Sequence, residues 1–128
     1  MGMILVADDD RTCRDSIQKT LEREGHTVEG AGDVDSAILA AARHTFDLIV
    51  CDYRMPGKTG LDLLAELQAK GSQVPVLMIS AFADPHTEAT AKRLGARALL
   101  KKPFRRQELL DQAFHALQEK VVRTPCAS

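Results

Sequence analysis

Polar side chains stand where short apolar runs end: Asp8 and Asp9 after ILVA, Asp52 after LIVC, Ser80 closing VLMIS, and Lys102 after ALLK. A fold that gathers those run ends assembles three carboxylates, a hydroxyl and an amine. Carboxylates within about 4 to 6 Å repel by roughly 4 kcal/mol per pair at an effective dielectric near 20. Such a cluster needs either a cation or raised pKa values, and a hard divalent ion is the simpler answer. Oxygen ligation with few protein carboxylates and several retained waters suits Mg2+ better than Ca2+, which asks for more ligands, or Zn2+, which favours His and Cys. No His or Cys stands in ligand spacing around these residues. Cys51 adjoins Asp52, but strand alternation points its side chain to the opposite face. A divalent cation beside a lysine and a hydroxyl is equipment for a phosphoryl group, whose spread charge is stabilised by position and electrostatics. The chemistry implied is phosphoryl transfer on a carboxylate.

The elements that must position these groups follow from periodicity. Apolar runs at 4–7, 27–30, 48–51, 76–80 and 98–100 alternate with longer amphipathic stretches, the pattern of βα units around a parallel sheet. Cys13, Ile17, Thr20, Leu21 and Glu24 predict a first helix, capped by Asp10 and closed by Gly25. Val34, Ala37, Ile38 and Ala41 predict a second, and either Leu61, Leu64 and Leu67 or Leu63 and Leu67 a third. A fourth, over 85–94, offers mainly Ala and Thr to a core and buries the least apolar surface. The last, over 105–122, carries Leu109, Leu110, Ala113, Phe114, Leu117 and Val121 on one side, and Pro125 stops it. Residues 123–128 read as a tail or the start of a linker. With right-handed crossovers all strand C-termini share one edge, where ligands bind.

The chain has 128 residues, enough for one domain of about 100 to 200 residues. Its 45% hydrophobic and 27% charged composition is near the globular average and disfavours disorder or coiled coil. Seventeen Lys and Arg against eighteen Asp and Glu leave no basic field to hold nucleic acid directly. Cys13, Cys51 and Cys126 form no CxxC pair, and no apolar run approaches the ~18 residues of a membrane span. A reducing, cytoplasmic setting fits this composition, with no membrane partner.

The segments ILVADDD at 4–10, LIVCDYRMPGKTG at 48–60, VLMISA at 76–81 and LGARALLKKPF at 94–104 resemble, in order and spacing, the receiver domains of bacterial two-component response regulators. The resemblance covers nearly the whole chain, with 1–122 as the domain. It implies a doubly wound, flavodoxin-like α/β fold with five parallel strands in the order 2-1-3-4-5 and five helices. It further implies that Asp52 accepts a phosphoryl group from the phosphohistidine of a sensor histidine kinase or His-phosphotransfer protein. Asp9, Asp52 and the backbone carbonyl of Arg54 would bind Mg2+, with Asp8 acting through a metal-bound water. Lys102 would pair with the phosphoryl group through a segment with a cis Lys102-Pro103 bond, and Ser80 would follow the phosphoryl oxygen. The face of the fourth helix, fifth strand and fifth helix would then change, controlling a C-terminal output domain, a partner or a phosphorylation-dependent homodimer. Such a domain is a switch rather than an enzyme, with at most slow self-catalysed phosphotransfer and autodephosphorylation.

One position departs from the family pattern: Leu99 stands where an aromatic residue usually swings inward with the hydroxyl. Leucine loses that bulk and any phenolic hydrogen bond. The plainer readings are an N-cap for Asp10, a solvated Lys101, surface positions for His26, His44, His86 and His115, and packing roles for two cysteines with an exposed tail thiol at Cys126. The rival function is a haloacid-dehalogenase-like phosphatase, because ILVADDDRT also fits an apolar strand followed by D-x-D-x-T. Asp8 would then be the nucleophile and Asp10 the acid/base, leaving Asp52 without a covalent role. A nucleotide- or flavin-binding module is disfavoured, since acidic residues occupy the loop that would cradle phosphate.

Overall fold

Each apolar run forms a strand, and each amphipathic stretch returns the chain across the sheet. The computed structural model describes residues 2–81 and 84–126, with side chains described as far as residue 118. The order is β1 (Met3–Ala7), α1 (Arg11–Arg23), β2 (Thr27–Ala31), α2 (Val34–Arg43), β3 (Leu48–Asp52), α3 (Gly60–Ala69), β4 (Val76–Ser80), α4 (Pro85–Arg93), β5 (Ala98–Lys101) and α5 (Arg106–Cys126). The five strands are parallel in the order β2-β1-β3-β4-β5. This is the flavodoxin-like topology expected, with its switch point between β1 and β3.

Strand alternation splits the core into two layers. Leu5, Ala7, Ile49, Cys51 and Met78 face α2, α3 and α4, meeting Ala37, Leu63, Leu64 and Ala91. Ile4, Val6, Val50 and Ile79 face α1 and α5, meeting Ile17, Leu21, Leu109 and Ala113. Both faces of the central strands are covered, which is why β3 and β4 read as unbroken apolar runs rather than alternating ones.

The helices begin where short polar side chains replace missing backbone partners. Asp10 accepts from the Thr12 and Cys13 N–H groups, Asp33 from Ser36 and Asp84 from Thr87. α4 buries only Ala91, as its composition predicted. α5 departs from expectation in two ways. Its backbone stays helical to Cys126 rather than stopping at Val122, placing Pro125 in the last turn, where the missing N–H forgoes a single bond. Phe114 is 59% exposed, because the buried stripe runs through Leu109, Ala113 and Ala116. The side chains of Val121 and Cys126, and all of Ala127 and Ser128, lie outside the described residues. His26 is half-buried rather than on the surface, its Nδ1 accepting the Gly2 N–H at 3.0 Å.

Candidate functional site

The C-terminal edge of the sheet carries the polar cluster. Asp8 follows β1 directly, where its N–H donates to the Ala31 carbonyl of β2 at 3.0 Å. Its Oδ1 accepts the Asp10 N–H at 2.9 Å. The other oxygen, Oδ2, is buried with no hydrogen-bond partner, facing the Lys102 Nζ at 3.6 Å. Asp52 is the last residue of β3 and is itself buried. The Lys102 ammonium donates to its Oδ2 at 3.2 Å. Asp9 is exposed, yet carboxylate oxygens of Asp8, Asp9 and Asp52 all lie within 4.8 Å of one another. The fold brings these four side chains together at one edge of the sheet, as expected from where the apolar runs end.

One ammonium among three carboxylates leaves an excess of negative charge. Burial, followed by the charge of Asp8, pushes the Asp52 carboxyl up to about 6, against the opposing pull of Lys102. For Lys102, burial works to lower the pKa, but the Asp52 and Asp8 charges outweigh it, so the net shift is upward and the ammonium persists at neutral pH. An orphaned, buried carboxylate oxygen costs free energy unless a cation approaches it. The donors are all oxygens, so the residues present fit a hard divalent cation.

Neighbouring backbone sets the remaining positions. Lys102 reaches the site from just after β5, its N–H bonded to the Ser80 carbonyl at 2.8 Å. The Lys102-Pro103 bond is cis. Ser80 ends β4, is 2% exposed and stands in register with Lys101, while Asp52 is in register with Ile79. Arg54 is exposed two residues beyond Asp52, and its backbone forms an antiparallel bridge to Thr59. That bridge and the bond from the Gly60 N–H to the Tyr53 carbonyl fold the segment back beside β3. Leu99 is half-buried on the α4 side of the sheet.

Three residues near the site escaped the sequence reading. Gly60 has no room for a side chain: a Cβ there would stand 2.8 Å from the Asp52 carbonyl oxygen and 2.7 Å from Met78 Sδ. Arg14 reaches from α1 to the Asp8 carbonyl, donating through Nη1 at 2.6 Å. Cys13 lies beside Asp8 and Lys102, and burial, followed by the nearby Asp8 carboxylate, pushes its thiol up to about 11. It therefore stays a thiol and a poor nucleophile. A glycine opening a helix after Thr59 was the one signal available for Gly60; nothing in the sequence marked the reach of Arg14. Asp10, by contrast, behaves as read: its carboxylate caps α1 from an exposed position.

Residues 4–114 match the model of the response regulator receiver domain. The sensory/regulatory protein RpfC of Xanthomonas campestris is 35% identical over 98% of this chain, which spans 18% of that relative. The response regulator protein FleR of Pseudomonas aeruginosa is 35% identical over 89% of the chain, which spans 24% of it. The chain thus covers less than a quarter of each of these relatives' lengths. Among solved structures, the receiver domain of NtrX from Brucella abortus superposes with a TM-score of 0.85 at 36% identity, covering 90% of this chain and 98% of that one.

Proposed function

This chain belongs to the response regulator receiver domain family of two-component systems, and from that premise we propose that Asp52 is its phosphoacceptor. An Asp52 carboxylate oxygen attacks the phosphorus of a phosphohistidine on a histidine kinase or His-phosphotransfer protein. A P–O bond forms, the P–N bond breaks, and the imidazole leaves with a proton. The observation that carries this reading is the meeting of Asp8, Asp9 and Asp52 oxygens within 4.8 Å, with Lys102 bonded to Asp52 at 3.2 Å.

Asp8, Asp9, Asp52 and the Arg54 carbonyl would hold Mg2+, which supplies charge neutralisation to the transferring phosphoryl group. The residues of the chain do the rest. Lys102, kept protonated by its two carboxylate neighbours, shifts its bond from Asp52 toward the phosphoryl oxygens. Ser80, on the adjacent strand end, donates its hydroxyl to a phosphoryl oxygen. Phosphorylation adds roughly −1.5 to −2 charges, and the response spreads to α4, which buries a single alanine, and to β5 and α5. With Leu99 in place of an aromatic residue, that spread relies on aliphatic repacking alone. The changed face controls an output domain, a partner protein or a second copy of the chain, in the cytoplasm where a nucleotide-fuelled kinase operates. Nucleic acid is not bound by this domain directly.

The phosphatase alternative is less well supported, since it needs Asp10 as acid/base and that carboxylate is engaged in capping α1. Incubation with acetyl phosphate tests the proposal. A single hydroxylamine-labile phosphoryl adduct that forms with Mg2+ and not with chelator is expected; no adduct under either condition overturns it.

A further inference from the structure

We propose that Arg14 is a positioning residue for the cation site, acting through Asp8 rather than touching the ion. The inference rests on the proposed Mg2+-dependent function and deepens it. Asp8 is held at its N–H by Ala31, at its carbonyl by Arg14 Nη1 at 2.6 Å, and at Oδ1 by the Asp10 N–H. With those three anchors set, only Oδ2 is left without a hydrogen-bond partner, buried and turned toward Lys102 and the other carboxylates. The Arg14 bond is short and charge-assisted, and it ties down the carbonyl of the peptide that joins Asp8 to Asp9, two of the residues that would hold the cation.

The surroundings of Arg14 are shaped for this reach. A Cβ on Gly30 would stand 3.2 Å from Arg14 Cδ, and one on Gly32 would stand 3.5 Å from Nη1, so the end of β2 leaves a slot that the side chain fills. Arg14 makes no ion pair among the described residues. Its charge thus adds positive potential beside the carboxylates without neutralising any one of them. Groups that orient a metal ligand from outside the coordination sphere typically change metal affinity by about 10- to 100-fold when removed.

Calorimetric Mg2+ titration of wild type, Arg14→Met and Arg14→Lys tests the inference. Methionine keeps an apolar stem over Gly30 and loses the donors. Arg14→Met is expected to bind Mg2+ about tenfold more weakly, with its melting temperature in EDTA close to wild type, and Arg14→Lys to recover most of the affinity. The amide resonance of Asp10, which reports on Asp8 Oδ1, should move in metal-free Arg14→Met. A folded Arg14→Met with wild-type affinity overturns the inference while leaving the proposed function standing. A wild type that binds no Mg2+ overturns both. Should Arg14→Met not fold, Arg14→Gln decides: its shorter side chain lacks the guanidinium that reaches the Asp8 carbonyl, so weakened Mg2+ binding supports the role and unchanged binding contradicts it.

Discussion

Lys102 Nζ lies 3.2 Å from Asp52 Oδ2 although 50 residues separate the two in the chain. The contact exists because β3 and β5 flank β4 and both end at the same edge of the sheet. Its ammonium is therefore placed to supply counter-charge to the phosphoryl group proposed for Asp52. Lys102→Ala should therefore keep or raise Mg2+ affinity, since a competing cation is removed, while slowing phosphorylation and blunting the response to it. The loss of a partially buried charged bond should lower stability by about 1–3 kcal/mol. Mg2+ titration and denaturant unfolding check these outcomes; lost metal binding would mean that the lysine acts elsewhere.

Asp52 gives the site its pH dependence. Its carboxyl rises from 3.8 to about 6, chiefly through burial and then Asp8. A proton is thus held more tightly in the folded chain than in the unfolded one. Stability from this group is present below about pH 4 and is lost as pH climbs through 6. In EDTA, Asp52→Asn should melt higher than wild type at neutral pH, with the gap shrinking toward pH 4. A gap that is constant across that range would refute the assignment.

The same proton competes with the metal. The rise in melting temperature produced by Mg2+ should be full at neutral pH and fade as pH drops below about 6, because Asp52 must be deprotonated to ligate. Differential scanning fluorimetry over a pH series reads this directly.

Gly60 is where packing bears on the proposed acceptor. Gly60→Ala would set a Cβ 2.8 Å from the Asp52 carbonyl oxygen, a backbone atom that cannot swing aside. Destabilisation of about 1–3 kcal/mol is expected, with a fall in phosphorylation rate as Asp52 shifts. Chemical denaturation and single-turnover phosphorylation measure the two effects separately.

Much of this site is legible in the sequence, because its parts sit at strand ends and strand ends are marked by where apolar runs stop. Asp8, Asp9, Asp52, Ser80 and Lys102 are all of that kind. Gly60 and Arg14 are not: one matters for the atom that is missing above Asp52, the other for a reach from α1 across the end of β2. Both are contacts between elements, set by distances that periodicity along one element does not encode. Phe114 shows the same limit on a helix. Its spacing from Leu110 and Leu117 fitted an apolar stripe, yet the sheet meets α5 along Leu109, Ala113 and Ala116 and leaves Phe114 outside.

Switching should be visible in α4 and β5. Phosphorylation should shift the amide resonances of α4, anchored by Ala91 alone, and of β5 more than those of α2, which buries Val34, Ala37 and Ala40. Unchanged α4 and β5 resonances in the phosphorylated protein would rule out the proposed route of the signal.

The most direct measurement is intact-protein mass spectrometry after treatment with acetyl phosphate and Mg2+, run on wild type, Asp52→Asn and Asp8→Asn. One hydroxylamine-labile phosphoryl group is expected on wild type, none on Asp52→Asn, and reduced, Mg2+-hungry labelling of Asp8→Asn. An adduct that persists in Asp52→Asn and disappears in Asp8→Asn would contradict the proposed role of Asp52 and make Asp8 the nucleophile.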